Sequence, residues 1–351
     1  MKLSRWLSPF TAAVLMLSLS GCGDKTQYSS LVSFGDSLSD VGTYKVGTVA
    51  ALGGGKYTVN SSSAKNWTEL VAAHYNLAAP CAAQTGLEGN GTGFNVAVTN
   101  HASCFNYAQG GARVTNPVGP GNKYLGGDNA TLGQLTVPVV TQIQNHLSKL
   151  PQGKFSGTEL VTVMAGGNDV FINVATYSAT VTAAPSQATA AATAAVTAMA
   201  TAGAELAGYV KTKLKANGAK YIVVVNLPDV ASTPAFSSSP AKPLVTSMVT
   251  AFNSSLQAGL DASGVLLVDA YALSQDLVAN KQSYGLTNVT SPACILDDPT
   301  KNPLGSSLVC TTATALSGTD YYLFADTVHP TPYGNKVNAD FIVKKIDRMI
   351  W

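Results

Sequence analysis

A few residue types in this chain stand at spacings that suit acyl-transfer chemistry. Ser37 closes the run Phe34-Gly35-Asp36-Ser37, and His329 follows Asp326 by three positions in Asp326-Thr327-Val328-His329-Pro330. Gly110-Gly111 and Gly166-Gly167-Asn168-Asp169 add backbone N–H groups and a side-chain amide. A serine hydroxyl is a poor nucleophile until a base within hydrogen-bond reach takes its proton. An imidazole, with an ordinary pKa of ~6.5, can accept and return that proton near neutral pH. A carboxylate three residues earlier can fold back onto Nδ1 and leave Nε2 free to face Ser37. Fixed N–H and amide donors suit the negative oxygen of a tetrahedral intermediate.

Such residues must be gathered by the fold, and the hydrophobic pattern indicates how. Continuous apolar runs predict strands at Ser30–Phe34, Phe105–Ala108, Leu160–Ala165, Tyr221–Asn226 and Val265–Asp269. Helical spacing appears at Asn66–Tyr75 (Asn66 as N-cap), Val139–Leu150, Ser186–Lys215, Leu244–Leu260 and about Tyr333–Met349. Gly-, Ser-, Thr- and Asn-rich stretches at 42–63, 80–104 and 280–325 read as loops. Apolar strands alternating with helices indicate a mostly parallel sheet of about five strands covered on both faces, a three-layer α/β/α sandwich. Ligands of such sheets collect outside the carboxyl ends of the strands. Ser37, Gly111 and Asn168 stand at three of those ends, and Asp326 and His329 on the loop before the last helix.

The chain has 351 residues, 46% hydrophobic and 11% charged, with a formal charge of +2. This length carries one large α/β domain, expected at 30–351 behind a linker at 22–29. Near neutrality gives no footing for nucleic acid. Residues 1–21 read as an export signal: Lys2 and Arg5 lead an apolar run at Phe10–Leu19 that is too short for the ~20 residues of a spanning helix. Leu19-Ser20-Gly21-Cys22 resembles a bacterial lipobox, which implies lipidation of Cys22, membrane attachment through it, and an outer-membrane or cell-surface location; the alternative is an ordinary cleaved signal and a periplasmic or secreted protein. Removal of residues 1–21 leaves 19 basic and 19 acidic side chains.

Cys81, Cys104, Cys294 and Cys310 remain, an even number that in an exported protein suggests two disulfides with three possible connectivities. The local pairs Cys81–Cys104 and Cys294–Cys310 are favoured, because each closes a long polar loop. No C-x-x-C occurs and no His stands at ligand spacing from two thiols, so no metal or other cofactor is expected.

Phe34-Gly35-Asp36-Ser37-Leu38-Ser39-Asp40 resembles the first sequence block of the GDSL, or SGNH, hydrolases. Asn106-Tyr107-Ala108-Gln109-Gly110-Gly111-Ala112 resembles the second, Gly166-Gly167-Asn168-Asp169 the third, and Asp326-Thr327-Val328-His329-Pro330 the fifth. The blocks occur in family order across nearly all of the mature chain. The resemblance implies a flavodoxin-like SGNH fold, a Ser37–His329–Asp326 triad, and an oxyanion hole made by the Ser37 and Gly111 backbone N–H groups and the Asn168 amide. Gly110 is an adjacent competitor for Gly111, which is preferred by its offset from Asn106. Asp36 and Asp169 are read as supports making local backbone hydrogen bonds. His74 and His146 fall on helices and His101 in a loop, all outside the chemistry.

Two patterns fail on context. Ser62-x-x-Lys65 lacks the companion motifs of β-lactamases, and Gly53-Gly54-Gly55-Lys56 lacks P-loop spacing. The absence of G-x-S-x-G disfavours the α/β-hydrolase fold. The expected activity is hydrolysis of a small-molecule or lipid ester through an acyl-enzyme. The alternatives are acyl transfer to an alcohol, removal of O-acetyl groups from polysaccharide, and a surface-binding lipoprotein without activity.

Overall fold

The computed structural model describes residues 26–351. The expected export signal and Cys22 lie outside the described residues. The strands are β1 (Leu31–Gly35), β2 (Gln84–Glu88), β3 (Asn95–Asn100), β4 (Leu160–Met164), β5 (Tyr221–Val225), β6 (Leu266–Val268), β7 (Asn288–Pro292) and β8 (Tyr322–Phe324). The helices are α1 (Gly47–Ala51), α2 (Trp67–His74), α3 (Gly127–Leu132), α4 (Val139–Leu147), α5 (Gly167–Ala183), α6 (Ala188–Tyr209), α7 (Lys242–Leu260), α8 (Ala270–Ala279) and α9 (Pro332–Ile346).

The central sheet is parallel with order β1-β4-β5-β6. Alternation along each strand divides the core. Val32, Phe34, Val161, Val163, Ile222 and Val224 face a cluster with α4, α6 and α7. Leu31, Leu160, Met164, Val223 and Val225 face a second cluster with α2 and α9. Burial on both faces is why these runs are mostly apolar rather than alternating with polar residues, and the two buried hydroxyls among them, Ser33 and Thr162, bond each other at 2.9 Å.

The sheet thus has four strands, one fewer than the sequence pattern suggested. The segment Phe105–Ala108 lies along the outer edge of β1 but forms only a bridge there, at Ser33 and Asn106. Ser33 N–H donates to Phe105 O at 3.0 Å and Tyr107 N–H to Ser33 O at 2.8 Å. No second bridge forms because Gly35 N–H donates to the Gln142 side chain at 2.8 Å, although Gly35 O still accepts from Gln109 N–H at 3.2 Å. Counted with this segment, the spatial order is that of flavodoxin-like sheets, whose switch point falls beside the first strand.

The polar stretches hold more order than their composition suggested. Residues 80–104 contain the antiparallel pair β2–β3, residues 280–325 the parallel pair β7–β8, and residues 42–63 the short helix α1. Two disulfides brace these regions, Cys81–Cys104 and Cys294–Cys310. At the front of α2, the Asn66 side chain accepts from Thr68 and Glu69 N–H while Glu69 accepts from Asn66 N–H, a capping box.

Candidate active site

The turn after β1 is built to present a side chain. Gly35 packs so tightly on β4 that a Cβ there would stand 2.2 Å from Met164 O. Gln142 of α4 clamps its peptide from the side, accepting from Gly35 N–H and donating to Gly35 O, each at 2.8 Å. Ser37 follows two residues later, half-buried at the carboxyl edge of the sheet.

His329 reaches it from the other end of the chain. Its Nε2 stands 2.7 Å from Ser37 Oγ. Its Nδ1 stands 2.8 Å from Asp326 Oδ2 and 3.0 Å from Oδ1. Asp326 is 6% exposed and surrounded by donors. Oδ1 accepts from Val328 N–H at 2.9 Å and His329 N–H at 2.8 Å, and Oδ2 accepts from Ser307 N–H and the Ser307 hydroxyl. Burial acts to raise its pKa, but His329 and these donors outweigh that and hold the carboxyl well below the usual range. The loop is fixed on both sides, by Ala325 N–H donating to His329 O at 2.7 Å and by the Thr58 hydroxyl donating to Pro330 O at 2.9 Å. Tyr57 lies against the imidazole, ring centroids 4.8 Å apart.

Asn168 enters at the first turn of α5, two residues after Gly166, whose φ of 118° and contact with the Phe252 ring leave no room for a side chain. It lines the same small cavity as Ser37 and His329. One hydrogen of its amide goes to Ala112 O at 2.8 Å, which leaves the second for a ligand. Gly111 is outside the lining of that cavity, one residue from this contact. Its φ of 78° and the backbone of Pro120, 2.1 Å from where a Cβ would stand, require glycine. The two neighbouring glycines differ in what they can offer. Gly110 N–H is consumed by Asp40 Oδ2 at 3.0 Å, whereas Gly111 N–H has no hydrogen-bond partner among the described residues.

Residues with no individual sequence signal shape this site. Asp40, deeply buried, accepts from Gly42, Thr43 and Gly110 N–H, and burial pushes its pKa up to about 6. The Tyr44 hydroxyl donates to Gly110 O at 2.7 Å, and the Gln134 amide donates to the Tyr57 hydroxyl. The loop bearing Gly110 and Gly111 is therefore held by a buried polar network.

Asp36 accepts locally, from Leu38 N–H at 3.1 Å, and burial pushes it up to about 7 against the opposing pull of His329. Asp169 does not bond locally, contrary to the sequence reading. It accepts from Arg113 Nε at 2.8 Å and Val114 N–H at 3.0 Å, since its place on the buried side of α5 points it across to the chain after Gly111. Burial raises its pKa and Arg113 opposes that rise. The other histidines lie elsewhere: His74 is 3.6 Å from Asp347, His101 meets the Thr85 hydroxyl at 2.9 Å, and His146 sits in an aromatic cage with Phe34, Phe105, Tyr107 and Phe155. No group of three potential metal ligands occurs among the described residues.

Residues 31–342 match the family model of the GDSL-like lipase/acylhydrolases. The chain belongs to that family. Curated relatives include the esterase EstA of Pseudomonas aeruginosa and that of Pseudomonas putida, each 28% identical over 95% of this chain and 50% of the relative. The chain thus spans about half the length of these relatives. Solved structures that resemble it include phospholipase A1 from Streptomyces albidoflavus NA297, 15% identical, with a TM-score of 0.44 over 91% of this chain and 99% of that one. An extracellular lipase from Streptomyces rimosus is 16% identical, with a TM-score of 0.44 over 90% and 99%.

Proposed function

We propose that this GDSL-family chain is a serine ester hydrolase with Ser37 as nucleophile, His329 as general base and acid, and Asp326 as the group that orients the imidazole. The observation that carries this reading is the hydrogen-bonded relay from Ser37 Oγ through His329 to Asp326, with contacts of 2.7 and 2.8 Å. Asp326, held ionised, favours the tautomer with its proton on Nδ1, so Nε2 has a free lone pair toward Ser37.

His329 takes the hydroxyl proton as Ser37 Oγ bonds to the ester carbonyl carbon, and the carbonyl oxygen becomes an anion. The Ser37 and Gly111 N–H groups and the second Asn168 hydrogen receive that charge; loss of one such donor lowers kcat by about 10²–10³. As the C–O bond to the alcohol breaks, His329 gives its proton to the leaving oxygen. Water then adds to the acyl carbon as His329 accepts its proton, and release of the acid returns that proton to Ser37.

The protein works outside the cytoplasm in this proposal, anchored through a lipidated Cys22. Its two disulfides support an oxidising compartment. Hydrolysis of p-nitrophenyl acyl esters by wild type, Ser37→Ala and His329→Ala tests the chemistry: both variants are expected to lose about 10³-fold or more in kcat. Near-wild-type turnover by either overturns the assignment. Fractionation of cells producing Cys22→Ser tests the anchor, which predicts release from the membrane fraction.

A further inference from the structure

An apolar cavity whose lining does not include Asn168 adjoins the site. It runs beneath the carboxyl ends of β5 and β6, between α8 and α9, and the proposed chemistry does not use it. Leu38, Pro228, Thr233 and Val328 line both this cavity and the small one at Ser37. Two of these four adjoin the reacting groups in sequence: Leu38 follows Ser37 and Val328 precedes His329. The far wall is formed by Leu273 and Leu277 of α8, and Val278, 38% exposed, stands at the rim.

We infer that this cavity holds the acyl chain of the ester, which makes medium-chain acyl esters, rather than acetyl esters, the preferred substrates. The inference rests on the serine-hydrolase reading above. Three considerations carry it. The lining is mostly aliphatic, so it rewards burial of methylene groups, each worth about a three- to fourfold gain in binding. The acyl group stays bonded to Ser37 through both half-reactions, whereas the alcohol must leave before water attacks, so an inward cavity suits the part that stays. The lining on α8 spans Ala270 to Val278, about 12 Å along the helix axis, which matches on the order of ten bonds of an extended chain. The chain beside Pro228 is pinned by Asn253, which accepts from Leu227 N–H and donates to Leu227 O, both at 2.9 Å.

The test is the acyl-length profile of p-nitrophenyl esters from acetate to palmitate, read as kcat/KM. Wild type is expected to rise at least tenfold from acetate to octanoate or decanoate and to fall beyond. Ala270→Phe, which fills the cavity, and Val278→Trp, which narrows its rim at a solvent-exposed position, are expected to lower the octanoate-to-acetate ratio by tenfold or more. Thermal melts identify a variant that fails to fold, and the rim variant then decides. A wild-type profile highest at acetate, or a ratio within twofold of wild type in a folded variant, overturns the inference. So does a ratio that moves only when the alcohol portion is lengthened. Should Ser37→Ala still hydrolyse these esters, the hydrolase reading itself fails, a result distinct from any of these.

Discussion

Replacing Asp326 by Asn separates orientation of the imidazole from packing of the loop. Oδ1 accepts from two backbone N–H groups, those of Val328 and His329, whereas Oδ2 accepts from one, that of Ser307. An amide nitrogen at Oδ1 would face two donors, so the Asn oxygen takes that place and the NH2 takes the place of Oδ2. There it faces Ser307 N–H and donates to His329 Nδ1, which holds the imidazole proton on Nε2. Ser37 Oγ then meets an N–H instead of a lone pair, and the base is lost while every heavy atom stays near its place. The expected loss in kcat is about 10⁴-fold. The stability cost is that of one orphaned buried N–H, about 1–3 kcal/mol, which lowers Tm by a few degrees. Stopped-flow release of p-nitrophenol gives the first value and a melting curve the second. A folded Asp326→Asn enzyme with kcat within tenfold of wild type would refute the tautomer argument.

Other expectations follow from the same geometry. Asn168→Ala should lower kcat by about 10²–10³ with little change in KM if the amide has the role proposed for it, on charge that develops in the transition state; equal losses in both would point to ground-state binding. Removal of the Cys294–Cys310 bridge, which closes 16 residues, should cost about 3 kcal/mol by chain entropy. It should also depress kcat, because Cys294 N–H donates to Ala325 O beside Asp326, while loss of Cys81–Cys104 should act mainly on stability. Stability should also depend on pH in two opposed windows. Burial raises Asp36 to about 7, so between pH ~4 and 7 the folded state holds a proton that the unfolded chain releases, and stability falls as pH rises through that window. Burial lowers His146 to about 4, so between pH ~4 and 6.5 the unfolded chain holds the extra proton and stability rises with pH. Tm of Asp36→Asn relative to wild type should therefore increase from pH 4 to 8, and that of His146→Phe should increase as pH falls from 7 to 4.

Much of this arrangement is legible in the chain because sheet physics writes itself into sequence. Strands covered on both faces must be mostly apolar, so β1, β4, β5 and β6 stand out, and turn residues at their ends place Ser37 and Asn168. The Asp326-x-x-His329 spacing is local and equally readable. What is hidden depends on partners far away in sequence. Ser307 is one serine among many in a polar stretch, and only the fold brings it to Asp326. Asp40, Tyr44, Tyr57 and Gln134 meet around Gly110 through contacts that no periodicity reveals. The bridge at Asn106 looked like a full strand because its side chains are buried like one, yet the Gln142 side chain occupies the edge it would need. Strands β2 and β3 leave little trace in the sequence because β3 is largely exposed and carries no buried face to impose alternation. Helix α8 is hard to read from sequence because its apolar positions, Leu273 and Leu277, face the cavity and the packing around β7 and β8 rather than a sheet face.

If one hydroxyl in this chain is activated by one imidazole, covalent trapping reads that directly. On treatment with a fluorophosphonate, intact and peptide mass spectra should show a single adduct, on the peptide bearing Ser37. Ser37→Ala should give none, and His329→Ala should react at least about 10³-fold more slowly. No adduct on the folded wild-type protein, or an adduct on any other residue, would contradict the account.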